Sequence, residues 1–312
     1  MVTRTPTPMA DVPVQIIEAR LRVQGDGSPC WTYGWMAMIA LLSAGCPRPT
    51  TRPLDPMPID ETIRAVNDNL PGAQAGLKAR GRVTVDVTDA SGARHRRFLD
   101  GTLLIIPPRH VRFDMTVLGK TQILLGSNAD AFWFYLRQDE GTLRWGHHDR
   151  ARHSQPAGMP IRPDMIIEAL GLSRLDRETA GPRGPVQRIE PQYQQLLYLD
   201  HDEVGQGYIE KEYWIERVPD GRPRRILFRD PIGQVVMQSQ LDDYRPIRTG
   251  GPQLPTAVTI QWPLERGGLT FHVRGWEFEP RLTSEAAAFV LPHRLGIEYP
   301  TVICVDEGPE QP

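Results

Sequence analysis

From Lys78 to His147 the apolar residues of this chain recur at every second position, and that period sets the architecture. Val83, Val85 and Val87 alternate with Arg82, Thr84 and Asp86. Side chains on an extended strand point alternately to opposite faces, so the pattern predicts strands with one dry face and one wet face. Asp89-Ala90-Ser91-Gly92 reads as a hairpin turn, and Arg96 to Ile106 as a second strand stopped by Pro107-Pro108. Val111, Phe113, Met115 and Val117 then alternate with Arg112, Asp114 and Thr116. Gly119-Lys120 turns into Thr121 to Leu125, followed by AFWFYLR from Ala131 and by Thr142 to His147. Six strands joined by short turns form an antiparallel meander.

The meander breaks at Asp149 to Pro163, a run rich in Arg, Gly and Pro. Ile161 to Leu172 follows as a helix, with Pro163 in its first turn and Gly171 near its end. Met165, Ile166, Ala169, Leu170 and Leu172 make its apolar side. Asp176 to Pro191 has no period and reads as a loop. Strands resume at Gln194–Leu199, Gly207–Val218, Arg224–Arg229, Gln234–Leu241, Thr256–Trp262 and Leu269–Phe278. Ahead of the first meander, residues 59–70 repeat Ile59, Ile63, Val66 and Leu70 at helical spacing, with Asp60 as the cap and Pro71-Gly72 as the stop. Ser284 to Phe289 suits a short helical turn. A flat sheet of about eleven strands must curl, and a curled apolar face must be filled by a helix or a ligand. The expected fold is mostly β in an α+β chain: one large curved antiparallel sheet, an open half-barrel, with a few helices on its concave face.

Trp31 to Cys46, WTYGWMAMIALLSAGC, is apolar, uncharged and ends in small residues before a cysteine. With Arg20 and Arg22 upstream it has the form of a secretory leader. Cysteine directly after Leu42-Ser43-Ala44-Gly45 is similar to a bacterial lipobox, so Cys46 is expected to become a lipidated N-terminus. About 15 residues fall short of the roughly 20 that span a bilayer. The leader before Trp31 is long, and a start codon further in is expected. The expected organisation is a signal peptide over 1–45, a proline-rich tether over 46–58, a domain over 59–305 and a frayed tail over 306–312. Pro47 and Arg48 follow the cysteine with no aspartate, which by resemblance to enterobacterial sorting rules implies the outer membrane, facing the periplasm.

Formal charge is −2 over 312 residues and is mixed along the chain, so no footprint for nucleic acid is present. With Cys46 acylated, Cys304 would be a lone thiol, and its neighbours Val302, Ile303 and Val305 suggest that it is packed. The sequence holds no G-x-S-x-G, H-E-x-x-H, P-loop or G-x-G-x-x-G motif. His147-His148-Asp149 with His153 is the best metal candidate, and its Arg-rich setting favours a solvated loop. Asp200-His201-Asp202-Glu203 lacks the glycine and spacing of a calcium loop and reads as a polar hairpin end. No metal, cofactor or enzymatic site is expected.

Apolar and aromatic residues carry the positive pattern. Phe132, Trp133, Phe134 and Tyr135 are consecutive, so both faces of that strand are aromatic and both need cover. Tyr213, Trp214, Trp262, Phe271, Trp276 and Phe278 add aromatic surface from the second half. Core packing accounts for most of these residues. The functional alternative is a hydrophobic cleft for acyl chains on the concave face. Its expected lining is Val83, Val85, Phe113, Met115, Phe132, Phe134, Met165, Ile166, Leu170, Tyr213, Trp262 and Phe271.

At these strands the sequence resembles the lipoprotein-localisation-factor superfamily of LolA-like carriers and LolB-like receptors. The likeness lies between Asp89 and Gly146. It rests on Ser91-Gly92-Ala93, on Gly101, Leu103 and Pro108, on Val111 and Phe113, and on Ile123-Leu124-Leu125, Ser127-Asn128 and Trp133-Phe134-Tyr135. The helix from Pro163 to Leu172 falls where that family has a lid, and its Met165, Ile166, Ala169 and Leu170 side is expected to pack on the concave sheet near Phe113, Met115 and Phe134. The resemblance implies an open half-barrel that binds acyl chains of lipids or lipoproteins; apart from it, a monomer tied to the membrane through lipidated Cys46 is expected. Pro107 stands where the carrier has a lid-latching arginine, so a latch of that kind is not expected, and the anchor is like that of the receptor. An envelope-stress sensor on the same scaffold, or a hydrolase with an unfamiliar site, remain alternatives.

Overall fold

The computed structural model describes residues 54–72, 75–88, 92–137, 141–150, 163, 165–177, 184–202, 204–293, 295 and 300–306. Cys46 and the leader, most of the turn at Asp89-Ala90-Ser91, His153, Ile161 and Glu203 lie outside the described residues. The first meander is β1 (Leu77–Thr88), β2 (Arg94–Ile106), β3 (His110–Val117), β4 (Lys120–Ser127), β5 (Ala131–Leu136) and β6 (Thr142–His147). The second is β7 (Val186–Ile189), β8 (Tyr193–His201), β9 (Gly207–Glu216), β10 (Pro223–Arg229), β11 (Val235–Pro246), β12 (Gln253–Trp262) and β13 (Gly267–Phe278). The two meanders join where β1 pairs with β13, Val83 opposite Phe271. With β14 (Thr301–Cys304) added, the described residues form one open sheet of fourteen strands, in the order β14-β6-β5-β4-β3-β2-β1-β13-β12-β11-β10-β9-β8-β7.

Two of these strands were not expected. β7 lies in the stretch that reads as a loop, and β14 lies in the C-terminal segment, so the count exceeds eleven. Both are four residues long and both are sheet edges. Short edges offer few free backbone groups to another chain. β14 runs parallel to β6, Val302 opposite Leu143, whereas every other pair is antiparallel. Val302 and Ile303 are exposed and Cys304 is half-exposed, so the packed thiol expected from its neighbours is corrected to a free thiol on an edge strand.

The sheet bends at a pair of glycines on its inner face. Gly81 faces Gly101 across β1 and β2, and β1 slips its register against β13 between Arg80 and Gly81. A Cβ on Gly101 would come within 2.5 Å of Val83 Cγ2 and 3.0 Å of Phe113 Cε2. The missing side chains leave room for the rings of Phe113 and Phe271, whose centroids are 4.9 Å apart. A bulge with a residue lacking Cβ lets a strand bend and two large rings meet over it.

α1 (Ile59–Asp68) buries Thr62, Ile63 and Val66 against the concave face. The structure moves its cap from Asp60 to Pro58, and Asp60 sits in the first turn, 2.6 Å from the Arg177 guanidinium. Three amides fix the helix in place. Buried Gln194 donates to Thr62 Oγ at 2.9 Å and accepts from the Met57 amide at 2.6 Å. Asn67 bridges both backbone groups of Leu175, each at 2.8 Å. Asn69 does the same with Gln253, at 3.1 and 2.9 Å. Leu54 N–H donates to the Arg217 carbonyl at 3.1 Å, so the chain is already against the sheet at Leu54.

α2 (Met165–Ala169) is shorter than the expected helix. Pro163, expected in the first turn, lies ahead of the helix in a turn, its carbonyl accepting from the Ile166 amide. Gly171, at φ +70°, ends it, with Gly171 N–H on the Glu168 carbonyl and Leu172 N–H on that of Ile167. A left-handed glycine closing the last turn in this way is a standard C-terminal stop.

The outer face of β4–β6 has its own cover. Leu124, Trp133, Tyr135 and Leu143 cluster there with Leu295, Leu291 and Trp145. The segment after β13 crosses this face, with a 3-10 turn at Ala287–Phe289. It is pinned by Asn128 Nδ2 on the Phe289 carbonyl at 3.2 Å and by the His110 ring against Phe289 at 5.3 Å. Both aromatic faces of β5 are therefore dry, Phe132 and Phe134 in the main buried cluster and Trp133 and Tyr135 in the outer cluster beside the C-terminal strap. The strap ends at Asp306, whose carboxylate accepts from the His147 amide and lies 2.8 Å from its ring Nδ1. The described part of the expected tail is thus held.

Candidate functional site

The concave face is ruled in rows by the strand register. One row runs Leu196, Tyr213, Ile226, Ser239, Ile260, Leu269, Val85 from β8 across to β1. Its neighbour runs Leu241, Val258, Phe271, Val83, Leu99. On the first meander, Leu103, Phe113, Leu125 and Phe134 stand opposite one another in turn. All these apolar side chains belong to one cluster. Eleven of the twelve expected lining residues are buried in it: Val83, Val85, Phe113, Met115, Phe132, Phe134, Ile166, Leu170, Tyr213, Trp262 and Phe271. Met165 is half-buried against it. Among the described residues this face is packed.

α2 was expected near Phe113, Met115 and Phe134. Its hydrogen bonds and close approaches run instead to the second meander. Glu168 reaches β9, and a Cβ on Gly171 would lie 2.8 Å from Leu241 Cδ1 on β11 and 3.8 Å from Pro223 on β10. The Glu168 carboxylate lies 3.2 Å from Lys211 Nζ and accepts from Tyr213 Oη. No latching arginine stands at position 107, yet the helix is latched, by a carboxylate of its own held by β9. Sequence inspection missed Glu168, Lys211 and Tyr198. Lys211 and Tyr213 lie two apart and so share a face, but nothing in the sequence ties either to Glu168.

Among the described residues, Tyr198 Oη, Ser239 Oγ and Trp262 Nε1 are buried polar atoms on this face with no hydrogen-bond partner. Tyr198 and Tyr213 meet edge to face, centroids 5.5 Å apart. Burial, and then the charge of Glu168, push both phenols well above the ordinary tyrosine range, so both remain hydroxyl donors at neutral pH.

The candidate metal residues turn to separate partners. His147 binds Asp306, while His148 Nε2 lies 3.1 Å from Ser127 Oγ and 3.0 Å from the Asn128 carbonyl. Asp202 Oδ1 accepts from the Val204 and Gln206 amides and shapes the β8–β9 hairpin. Among the described residues no three His, Cys, Asp or Glu side chains gather as a metal site, and no helix is long and apolar enough to cross a membrane.

One edge of the sheet carries a further pattern. The hairpins β8–β9, β10–β11, β12–β13, β1–β2 and β3–β4 all turn on that edge. Exposed aliphatic residues mark them: Val204, Ile232, Leu264, Val87 and, at 95% exposure, Leu118.

An open antiparallel sheet, curved round two short helices and strapped on its outer side, is the half-barrel class. Solved structures that this chain is similar to include the following. A domain described as an outer membrane lipoprotein-sorting protein, from Vibrio parahaemolyticus, shares 13% identity over 71% of this chain and 92% of its own, with a TM-score of 0.44. A LolA superfamily protein from Nitrosomonas europaea shares 10% over 76% of this chain and 99% of its own, TM-score 0.47. A DUF1329 family protein from Desulfovibrio piger shares 12% over 74% and 97%, TM-score 0.48. No family model matches the sequence, and no curated protein matches it.

Proposed function

We propose that this protein takes up the acyl chains of a lipid or lipoprotein on its concave face, as a lipid-anchored component of the cell envelope. The observation that carries this reading is the inner face itself: apolar rows across both meanders, covered on the second meander by a five-residue helix. Apolar burial is worth about 0.8 kcal/mol per methylene, so a long chain needs only such a surface and no catalytic group. The chain enters as α2 lifts, its polar contacts breaking without cutting the sheet, and α2 closes again over the bound chain. Cys46 supplies the anchor, and Pro47-Arg48 after it favours the outer membrane, facing the periplasm. Native mass spectrometry of protein extracted in mild detergent is expected to show a bound lipid mass. Protein that carries no lipid and takes up no fluorescent fatty acid would refute the reading.

The hairpin edge suits a lipid surface. Its aliphatic tips stand beside exposed Arg94, Arg96, Lys120 and Arg266, as an apolar rim with basic neighbours does at anionic headgroups. Leu118→Glu combined with Ile232→Glu is expected to cut co-sedimentation with anionic vesicles several-fold, at an unchanged thermal midpoint. Unaltered sedimentation of the folded double variant would remove the edge from the proposal.

A further inference from the structure

We infer that Lys211, Tyr213 and Tyr198 form a site for the anionic headgroup of the acyl ligand, a carboxylate or a phosphate, and that Glu168 occupies this site in the ligand-free protein. The inference rests on the acyl-binding reading and names the polar half of its ligand.

Glu168 is out of place on its helix. Ile166, Ile167 and Ala169 around it are buried, and a carboxylate among them is costly unless charges and donors meet it. β9 supplies both. Lys211 and Tyr213 project from one face two residues apart, an ammonium at 3.2 Å and a phenol that donates to the carboxylate. Two such donors around a single anion are what a headgroup requires.

Tyr198 is the independent observation. It stands opposite Lys211 in the register and against the Tyr213 ring. The residue is only 6% exposed, and its hydroxyl has no partner among the described residues. A buried donor left unmade is destabilising, and Glu168, tied to its own helix, leaves it unmade. An anion not tied to the helix is free to settle deeper and take all three donors at once. Its arrival displaces the Glu168 carboxylate from these donors, while the apolar side of α2, Ile166, Ile167 and Ala169, stays closed over the chain. The Tyr198–Lys211 row lies closer to the β8–β9 hairpin than the rows of Leu196 and Gln194 do. A ligand so placed has its head toward the hairpin edge and its chain along the apolar rows.

The test compares palmitic acid with its methyl ester by displacement of a fluorescent fatty acid from the full protein. The acid is expected to bind about tenfold tighter than the ester, as for a hydrogen-bonded charge. Lys211→Met and Tyr198→Phe should each weaken the acid and leave the ester unchanged, with the thermal midpoint confirming the fold. Glu168→Gln should tighten the acid, since the competing carboxylate is gone. Phosphatidic acid against diacylglycerol repeats the comparison for phosphate, and preference in either pair supports the site and names its head. Equal affinity for acid and ester together with equal affinity in the phosphate pair, or Lys211→Met weakening acid and ester alike, overturns the headgroup site while leaving acyl uptake standing. Failure of every probe to bind overturns acyl uptake itself.

Discussion

Gly81→Ala is expected to lower the thermal midpoint by about 6–12 °C, corresponding to about 3 kcal/mol in a domain of this size. The added Cβ would lie 2.0 Å from the His272 carbonyl oxygen and 2.8 Å from both the His272 carbonyl carbon and Phe271 Cε2. The first two atoms are backbone of the paired strand, so no rotamer change relieves the clash. β1 and β13 would have to part where the two meanders are joined. Gly275→Ala is the matched control. It lies on β13 with nothing within 4 Å of its Cβ, and its melt should stay with the wild type. Coincident melts for Gly81→Ala and wild type would show that the β1–β13 seam is not the tight junction described.

How much of this was legible in the sequence depends on the length of each pattern. β1 to β6 were read because alternation over six or more residues is a strong period. β7 and β14 were missed because Val186–Ile189 and Thr301–Cys304 are four residues each and exposed on both faces, so no period exists to find. The two-faced aromatic run at Phe132 to Tyr135 correctly demanded a second cover. The strap that provides it was unreadable, because the residues around Phe289 and Leu295 have no repeat and act through single contacts. Gly171 was placed near the helix end from its type alone. The strand residues of the expected lining share a parity on each strand, which is why they fall on one face. The polar members were lost because a contact such as Glu168 to Lys211 depends on how the second meander folds back over the helix. Asn67 to Leu175 spans 108 positions and is set in the same way.

The last expected result concerns α2 as a lid. Ile166→Asp is expected to leave a folded protein whose thermal midpoint falls by a few degrees and whose acyl binding is lost. Ile166 is 1% exposed, and an aspartate fixed there would carry an unpaired buried charge, a cost that fully commits a core element to unfolding. A segment that lifts on its own escapes that cost. The penalty is then capped at the free energy of docking the segment. That free energy is small by the following comparison. Ile166, Ile167, Leu170, Leu172 and Leu175 together contribute about 10 kcal/mol of apolar burial, and ordering the dozen or so residues around them costs roughly the same. What remains is the polar fastening, Glu168 to Lys211 and Tyr213, and Asn67 to Leu175. The fourteen strands and α1 do not depend on it, since α1 is held separately by Gln194 and Asn69. A lifted lid cannot close over a bound chain, so retention of a fluorescent fatty acid should disappear in the folded variant, and protease cleavage between residues 163 and 177 should rise. Global unfolding of Ile166→Asp would make α2 part of the core. Wild-type uptake by a folded Ile166→Asp protein would mean that the chain binds without the helix.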